Sequence, residues 1–279
     1  MTLAHPRRLV YLGTPGMAVP PLEALVAAGH DVALVVTSPD RKRGRGGALS
    51  PTPVKVAAQA LGVPVSHDID DVTSVGADLG VVVAFGRLIR PHVLAAVPMV
   101  NLHFSLLPRW RGAAPVERAL LAGDTETGVC LMQLDEGLDT GPVYSNVRVP
   151  IGDRTTADDL RAELVRLGTQ QLVDALAVPL GEPVPQSGTV VYADKIRAEE
   201  LRIDWSQPVA AIDRLVRLGG AWTTFRGRRV KLIAAVPDAA ADGLAPGLRL
   251  VTVQPEGKAP MAATDWVRGV RPAADERFE

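Results

Sequence analysis

The chain has 279 residues, 47% of them apolar and 22% charged, with 26 glycines and 23 prolines, a mixture that excludes a disordered, collagenous or disulfide-stapled protein. Thirty basic side chains stand against thirty-one acidic ones, so no global field draws the molecule to nucleic acid or membrane. The length favours a large domain followed by a small one. The apolar run after Arg7 and Arg8 is broken by Gly13-Thr14-Pro15 before it could serve as a signal segment. No run approaches the ~18 apolar residues of a membrane helix. A cytoplasmic protein, monomeric and without a membrane partner, is therefore expected. The single cysteine, Cys130, lies among Val129, Leu131 and Met132 with no basic neighbour, which reads as a small buried hydrophobe rather than a reactive thiol.

Along the chain, residues 8–13 form a short apolar strand closed by a turn, and residues 21–28 a helix ended by Gly29. Residues 32–37 give a second strand, 53–61 a second helix, and 79–85 a strand apolar enough to be covered on both faces. Residues 99–103 form another strand. This alternation predicts an α/β fold with a mostly parallel, Rossmann-like sheet. Residues 128–134 and 142–149 read as strands joined by the polar loop Asp135-Glu136-Gly137-Leu138-Asp139-Thr140-Gly141. Thr156, with Asp159 three residues on, caps a long helix whose Leu160, Leu164, Leu167, Leu172 and Leu176 keep one apolar face. Residues 181–188 are dense in proline and glycine and read as the start of a linker. Beyond Trp205 the pieces are short and strand-like, as at 230–236 and 248–253, and predict a small β-rich domain. Residues 271–279 read as a loosely held tail.

Several chemistries are disfavoured. The first loop, Gly13-Thr14-Pro15-Gly16, lacks the G-x-G-x-x-G glycines of dinucleotide binding, and no P-loop occurs. Ser105 has no nucleophile elbow around it. His5, His30, His67 and His92 lack metal-ligand spacing and read as surface residues, so no metal is expected.

The informative stretch is Asn101-Leu102-His103-Phe104-Ser105-Leu106-Leu107-Pro108-Arg109-Trp110-Arg111-Gly112. Alternation along the strand sets Asn101 and His103 on one side, at a strand's carboxyl end, where open α/β sheets bind ligands. An amide and an imidazole can converge on a carbonyl oxygen as it becomes tetrahedral, which points to acyl transfer. The plainer reading is that both satisfy backbone groups at the strand end. Asp139, if the fold brings it to His103, would hold the imidazolium or take a proton from an attacking amine. A second stretch, residues 41–55, carries Arg41, Lys42, Arg43, Arg45 and Lys55 with no acid after Asp40. It reads as an irregular loop, either a solvated charge run or a neutraliser of phosphates. Arg226, Arg228, Arg229 and Lys231 form a smaller basic cluster.

The runs 101–115 and 135–141, with the Gly13-Thr14-Pro15 opening, the Ser50-Pro51-Thr52-Pro53-Val54-Lys55 segment and Ile203-Asp204-Trp205, resemble the methionyl-tRNA formyltransferase family. The resemblance implies transfer of a formyl group from 10-formyltetrahydrofolate to the α-amine of methionyl initiator tRNA, with Asn101, His103 and Asp139 as catalytic residues. It implies a folate pocket lined by Phe85, Gly86, Arg87, Leu88 and Ile89, by Asp135 and Gly137, and supported by Ser105, Leu106, Leu107 and Pro108. It also implies tRNA contacts through Arg41, Lys42, Arg43, Arg45, Lys55, Arg228 and Arg229. The implied organisation is a catalytic domain over 1–189, a linker over 190–204, and an OB-like C-terminal domain over 205–279. That domain looks shortened, because a strand pair expected near residues 246–254 is missing. Transfer to another amine, such as an amino sugar, is the alternative. Hydrolysis to formate and a turnover-dead folate or tRNA binder are more distant ones.

Overall fold

The structure, a computed structural model, describes residues 8–43 and 47–279. In chain order β1 (Arg8–Gly13) leads to α1 (Val19–Ala27), β2 (Asp31–Val36), the short strands β3 (Arg41–Arg43) and β4 (Ala48–Ser50), α2 (Pro53–Ala60) and β5 (Val65–Ser66). Then come β6 (Leu79–Val83), α3 (Pro91–Ala96), β7 (Met99–His103), β8 (Arg111–Gly112), α4 (Pro115–Ala122), β9 (Glu126–Gln133), β10 (Val143–Pro150), α5 (Ala157–Leu176) and β11 (Tyr192–Ala193). The chain continues through α6 (Val209–Leu218), β12 (Trp222–Phe225), β13 (Arg228–Pro237), β14 (Leu248–Pro255), β15 (Met261–Ala262) and α7 (Ala263–Val270). Two compact units result. The first comprises Met1–Pro115, Glu126–Pro150 and Arg161–Ala193, and the second Val116–Thr125, Ile151–Leu160 and Asp194–Glu279.

In the first unit a seven-stranded sheet runs in the order β10-β9-β7-β6-β1-β2-β5. Strands β1, β2, β5, β6 and β7 are parallel, while β9 and β10 are antiparallel to their neighbours. All five residues of β6 are buried, as a strand covered by helices on both faces must be. After β5 the chain returns to the other side of β1, so the strand order reverses between β1 and β6, the switch point at which such sheets bind ligands. Gly13 closes β1 there because an added Cβ would stand 2.9 Å from Ala18 and 3.1 Å from the Val83 carbonyl oxygen. Thr52 caps α2 by accepting the Lys55 N–H at 3.1 Å, and Thr156 and Asp159 cap α5 reciprocally at 3.2 Å each.

The second unit is built on the antiparallel sheet β12-β13-β14-β15. Among the described residues it has four strands, one fewer than the five of an OB barrel; the stretch where a strand pair was expected to be missing carries β14, paired with β13 and β15. The unit is less purely β than the sequence pattern suggested, because α6 and α7 bury Ile212, Val216 and Trp266 in its core. Asp213, buried on α6, is held by Arg154 and Arg217 at 2.8 Å each. The segment expected to be a loose tail is anchored instead. Phe278 is buried and stacks on Trp205 and Trp266 at 5.5 and 5.8 Å between ring centroids, and Glu279 exchanges backbone hydrogen bonds with Thr224. An aromatic side chain at the end of a polar run was the clue, since its burial outweighs the cost of ordering the last few residues.

The basic stretch also departs from the irregular loop expected. Arg41, Lys42 and Arg43 pair antiparallel with Ser50, Leu49 and Ala48, because Gly47 at φ 68° lets the chain return. His30, expected at the surface, is buried. Among the described residues no helix is long and apolar enough to cross a membrane.

Candidate active site

The site is assembled in the first unit at the carboxyl end of β7. Asn101 and His103 are 8% and 5% exposed. Leu102 between them points into packing and is likewise buried, as alternation requires. The Asn101 amide has no hydrogen-bond partner among the described residues, yet its atoms are not sealed from solvent. A nearly buried amide normally bonds within the protein, so this one is left over for something else.

His103 is fixed from both sides. Its Nε2 lies 2.8 Å from the Trp110 carbonyl oxygen; a carbonyl only accepts, so this nitrogen carries the hydrogen. Trp110 reaches that position with φ 66°, in the left-handed region that a bulky side chain rarely adopts, and the turn is fastened by the Ser105 hydroxyl donating to the Arg109 carbonyl at 2.6 Å. The other nitrogen, Nδ1, faces the Asp139 carboxylate at 3.5 Å. The fold thus brings His103 and Asp139, which lie far apart in sequence, together, with Asn101 two residues before His103 on the same side of β7.

Asp139 belongs to the loop after β9 and is also left-handed, at φ 51°, a conformation aspartate tolerates better than most residues. Its Oδ2 accepts the Gly112 N–H at 2.8 Å, while Oδ1 has no partner among the described residues. Earlier in the loop, Asp135 Oδ1 takes the Gly137 N–H at 3.1 Å and the Thr140 hydroxyl at 2.6 Å, so Asp135 and Gly137 shape the loop. Gly141 is required by space, since a Cβ there would stand 1.9 Å from the Gln133 carbonyl oxygen.

The other expected pocket residues are distributed around this centre. Residues 85–89 follow β6 on the same sheet edge. Phe85 and Ile89 are buried in the core, Gly86 turns with φ 72°, and Leu88 is 81% exposed. Arg87 lies over the Phe85 ring at 5.3 Å and donates to the His67 carbonyl at 2.9 Å. Thr14, in the loop after β1, donates to the Phe85 carbonyl at 3.3 Å and so ties the two switch-point loops together. Leu106 and Leu107 are half-buried and Pro108 buried. Cys130, opposite His103 in the sheet, is buried, and that burial pushes its thiol up to about 11 against a hydrogen bond with the Leu107 backbone. It is inert, as the sequence suggested.

Of the basic residues, Arg41 and Lys42 are exposed. Lys55 is committed to Asp40 at 2.8 Å. The Arg43 side chain and the whole of Arg45 lie outside the described residues. In the second unit Arg228 is exposed, and Arg229 stacks on Trp222 at 4.1 Å. Among the described residues no cluster of His, Cys, Asp and Glu could hold a metal ion. The sequence reading overlooked Gln186, whose amide donates to the Asp139 and Gly141 carbonyls at 2.8 Å each. Nothing in the proline- and glycine-rich run around it signalled that contact.

Residues 7–176 match the formyl transferase family and residues 195–250 match its C-terminal domain. The chain belongs to the formyl transferase family. Among formyl transferase relatives, the methionyl-tRNA formyltransferase of Dinoroseobacter shibae is 47% identical over 82% of each chain. That of Streptomyces coelicolor is 42% identical over 97% of this chain and 99% of its own. A solved formyl transferase, the N-formyltransferase of Helicobacter canadensis in complex with folinic acid and dTDP-3-aminofucose, shares the fold with a TM-score of 0.65 at 16% identity, covering 89% of this chain and 99% of that one.

Proposed function

We propose that the protein transfers a formyl group from 10-formyltetrahydrofolate to the α-amino group of methionyl initiator tRNA, and so acts in translation initiation. The observation that carries the chemistry is the Asn101 amide, without a hydrogen-bond partner among the described residues, beside an imidazole held between Trp110 and Asp139. The acceptor is supported by relatives named methionyl-tRNA formyltransferase at 42–47% identity over most of the chain. The amino-sugar alternative rests on a much more distant likeness at 16% identity. A folate donor is also supported by the folinic acid held by that distant neighbour.

In this reading the amine attacks the formyl carbon and the carbonyl electron pair moves onto oxygen. The Asn101 N–H and the protonated Nδ1 of His103 stabilise that oxyanion, a contribution of about 10²–10³ in rate for one such donor. Nδ1 is the nitrogen left for it: Nε2–H is committed to Trp110 at 2.8 Å, whereas Asp139 Oδ2 stands 3.5 Å from Nδ1 without a hydrogen bond between them. Asp139 divides its two oxygens: Oδ2 faces Gly112 and His103, and Oδ1 is open to receive the amine proton. When the oxyanion collapses, the bond to N10 of the folate breaks and a proton passes to that nitrogen, giving tetrahydrofolate and the formamide. The folate lies against the loop 85–89, with Asp135 and Gly137 shaping the opposite loop and 105–108 behind it. The chemistry occupies residues 1–189, joined through 190–204 to a domain over 205–279. Phosphates are gripped by Arg228 and Arg229 of that domain, by Arg41, Lys42, Arg43 and Arg45 of the β3–β4 segment, and more weakly by Lys55 of α2, which is paired with Asp40.

The test offers 10-formyltetrahydrofolate with charged initiator tRNA, an amino-sugar nucleotide or water alone. Formylmethionyl-tRNA is the expected product. A formylated sugar nucleotide, or free formate at the same rate with or without tRNA, overturns the reading.

A further inference from the structure

The segment 184–193, read from composition as a slack linker, runs along both arms of the site. Val184 exchanges backbone hydrogen bonds with Val143 at 2.8 Å each, just past the Asp139 loop. Farther on, the Arg111 N–H donates to Val191, and the Ala113 and Ala114 N–H groups both donate to Ala193. Gln186 sits between these two attachments. Its Nε2 donates to the carbonyls of Asp139 and Gly141, and its Oε1 accepts Nε and Nη2 of Arg111 at 3.1 and 2.7 Å. All four hydrogen-bonding positions of the amide are filled. Its orientation is fixed as well, because the reverse would set its oxygen against two carbonyls and its NH₂ against a guanidinium.

These contacts close a ring. Asp139 is bound to the dipeptide Arg111-Gly112 twice, directly through Gly112 N–H to Oδ2 and indirectly through Gln186 to its own carbonyl. The ring therefore holds both the backbone and the carboxylate of a left-handed residue whose Oδ2 lies 3.5 Å from His103. We infer that Gln186 is a positioning residue for the transfer, acting through Asp139 by way of this ring with Arg111. The inference rests on the formyl-transfer reading given above. A displacement of the carboxylate by an ångström is enough to cost about 100-fold in a positioned proton transfer, and Gln186 need not touch either substrate to have that effect.

The test compares Gln186→Ala and Gln186→Glu with the wild type in single-turnover transfer, each also in an Asp139→Asn background. Gln186→Glu keeps the volume and the Arg111 partner but turns carboxylate oxygens toward two carbonyls. Both variants are expected to lower kcat about 10- to 100-fold with KM for folate and tRNA within about twofold. In the Asp139→Asn background the same changes should cost less than about threefold, since residues that act as a unit are strongly non-additive. Losses of equal size in both backgrounds, a kcat within twofold of wild type, or two variants that do not fold would make Gln186 at most a structural brace and overturn the inference. A wild type that transfers no formyl group overturns the underlying reading instead, whatever the variants do.

Discussion

At the scale of single residues, Asn101 separates function from stability. Its amide makes no hydrogen bond within the described structure, so its replacement removes no internal partner and exposes no orphaned group. Asn101→Ala should lower turnover at least ~100-fold while the Tm stays level or rises, as stability–activity trade-offs at active sites predict. A variant with retained activity and a lower Tm would make Asn101 the strand-end stabiliser of the plainer sequence reading. Both His103 and Asn101 were legible in the sequence, because a strand's two-residue period and its carboxyl end say where side chains go. Trp110 and Gln186 were not, since a left-handed backbone aiming a carbonyl and an amide spanning two loops leave no mark on composition.

At the scale of elements, the loop joining β9 to β10 depends on space at Gly141. The clash of an added Cβ is with backbone, which cannot swing aside as a side chain can. Gly141→Ala should therefore cost on the order of 3 kcal/mol and reduce turnover with it, read as a lower urea midpoint; an unchanged midpoint would show that the loop has other ways to close. In the second unit, the Arg118 guanidinium of α4 bonds Glu200 at 2.7 Å. That bond, followed by the Arg197 backbone N–H, holds the Glu200 carboxyl down at about 2. A value lowered in the folded state stabilises above the ordinary ~4.3 and is lost as the pH falls toward 2. With solvent screening, the contribution of this partly exposed pair stays below ~1 kcal/mol. Glu200→Gln should thus flatten the fall of Tm between about pH 4.3 and 2, and wild-type and variant curves that stay parallel would refute it.

At the scale of the whole molecule, a net charge of −1 leaves tRNA affinity to local basic patches. Replacing exposed Arg41 and Lys42 with alanine should weaken tRNA binding and make the slope of log K against log salt shallower by about 1.4–1.8. The same pair of changes should leave kcat at saturating tRNA near normal. An unchanged slope would return the hairpin to a solvated charge run. Lys55, already paired with Asp40, should contribute less to that slope than its charge suggests.

The sequence by itself determined the alternation of strands and helices, the long capped helix, the inert Cys130 and the polar residues at the end of β7, because each follows from local periodicity, capping chemistry or apolar content. Tertiary structure alone decided that 184–193 is bound along the candidate site, that Phe278 closes an aromatic core, and that Arg41–Arg43 pairs with Ala48–Ser50. Those outcomes depend on partners many residues away: the Asp139 and Gly141 carbonyls for Gln186, Trp205 and Trp266 for Phe278, and a facing strand for Arg41. A segment rich in proline, glycine and charge says only that it cannot bury itself, and long-range hydrogen bonds and ring contacts then choose what holds it.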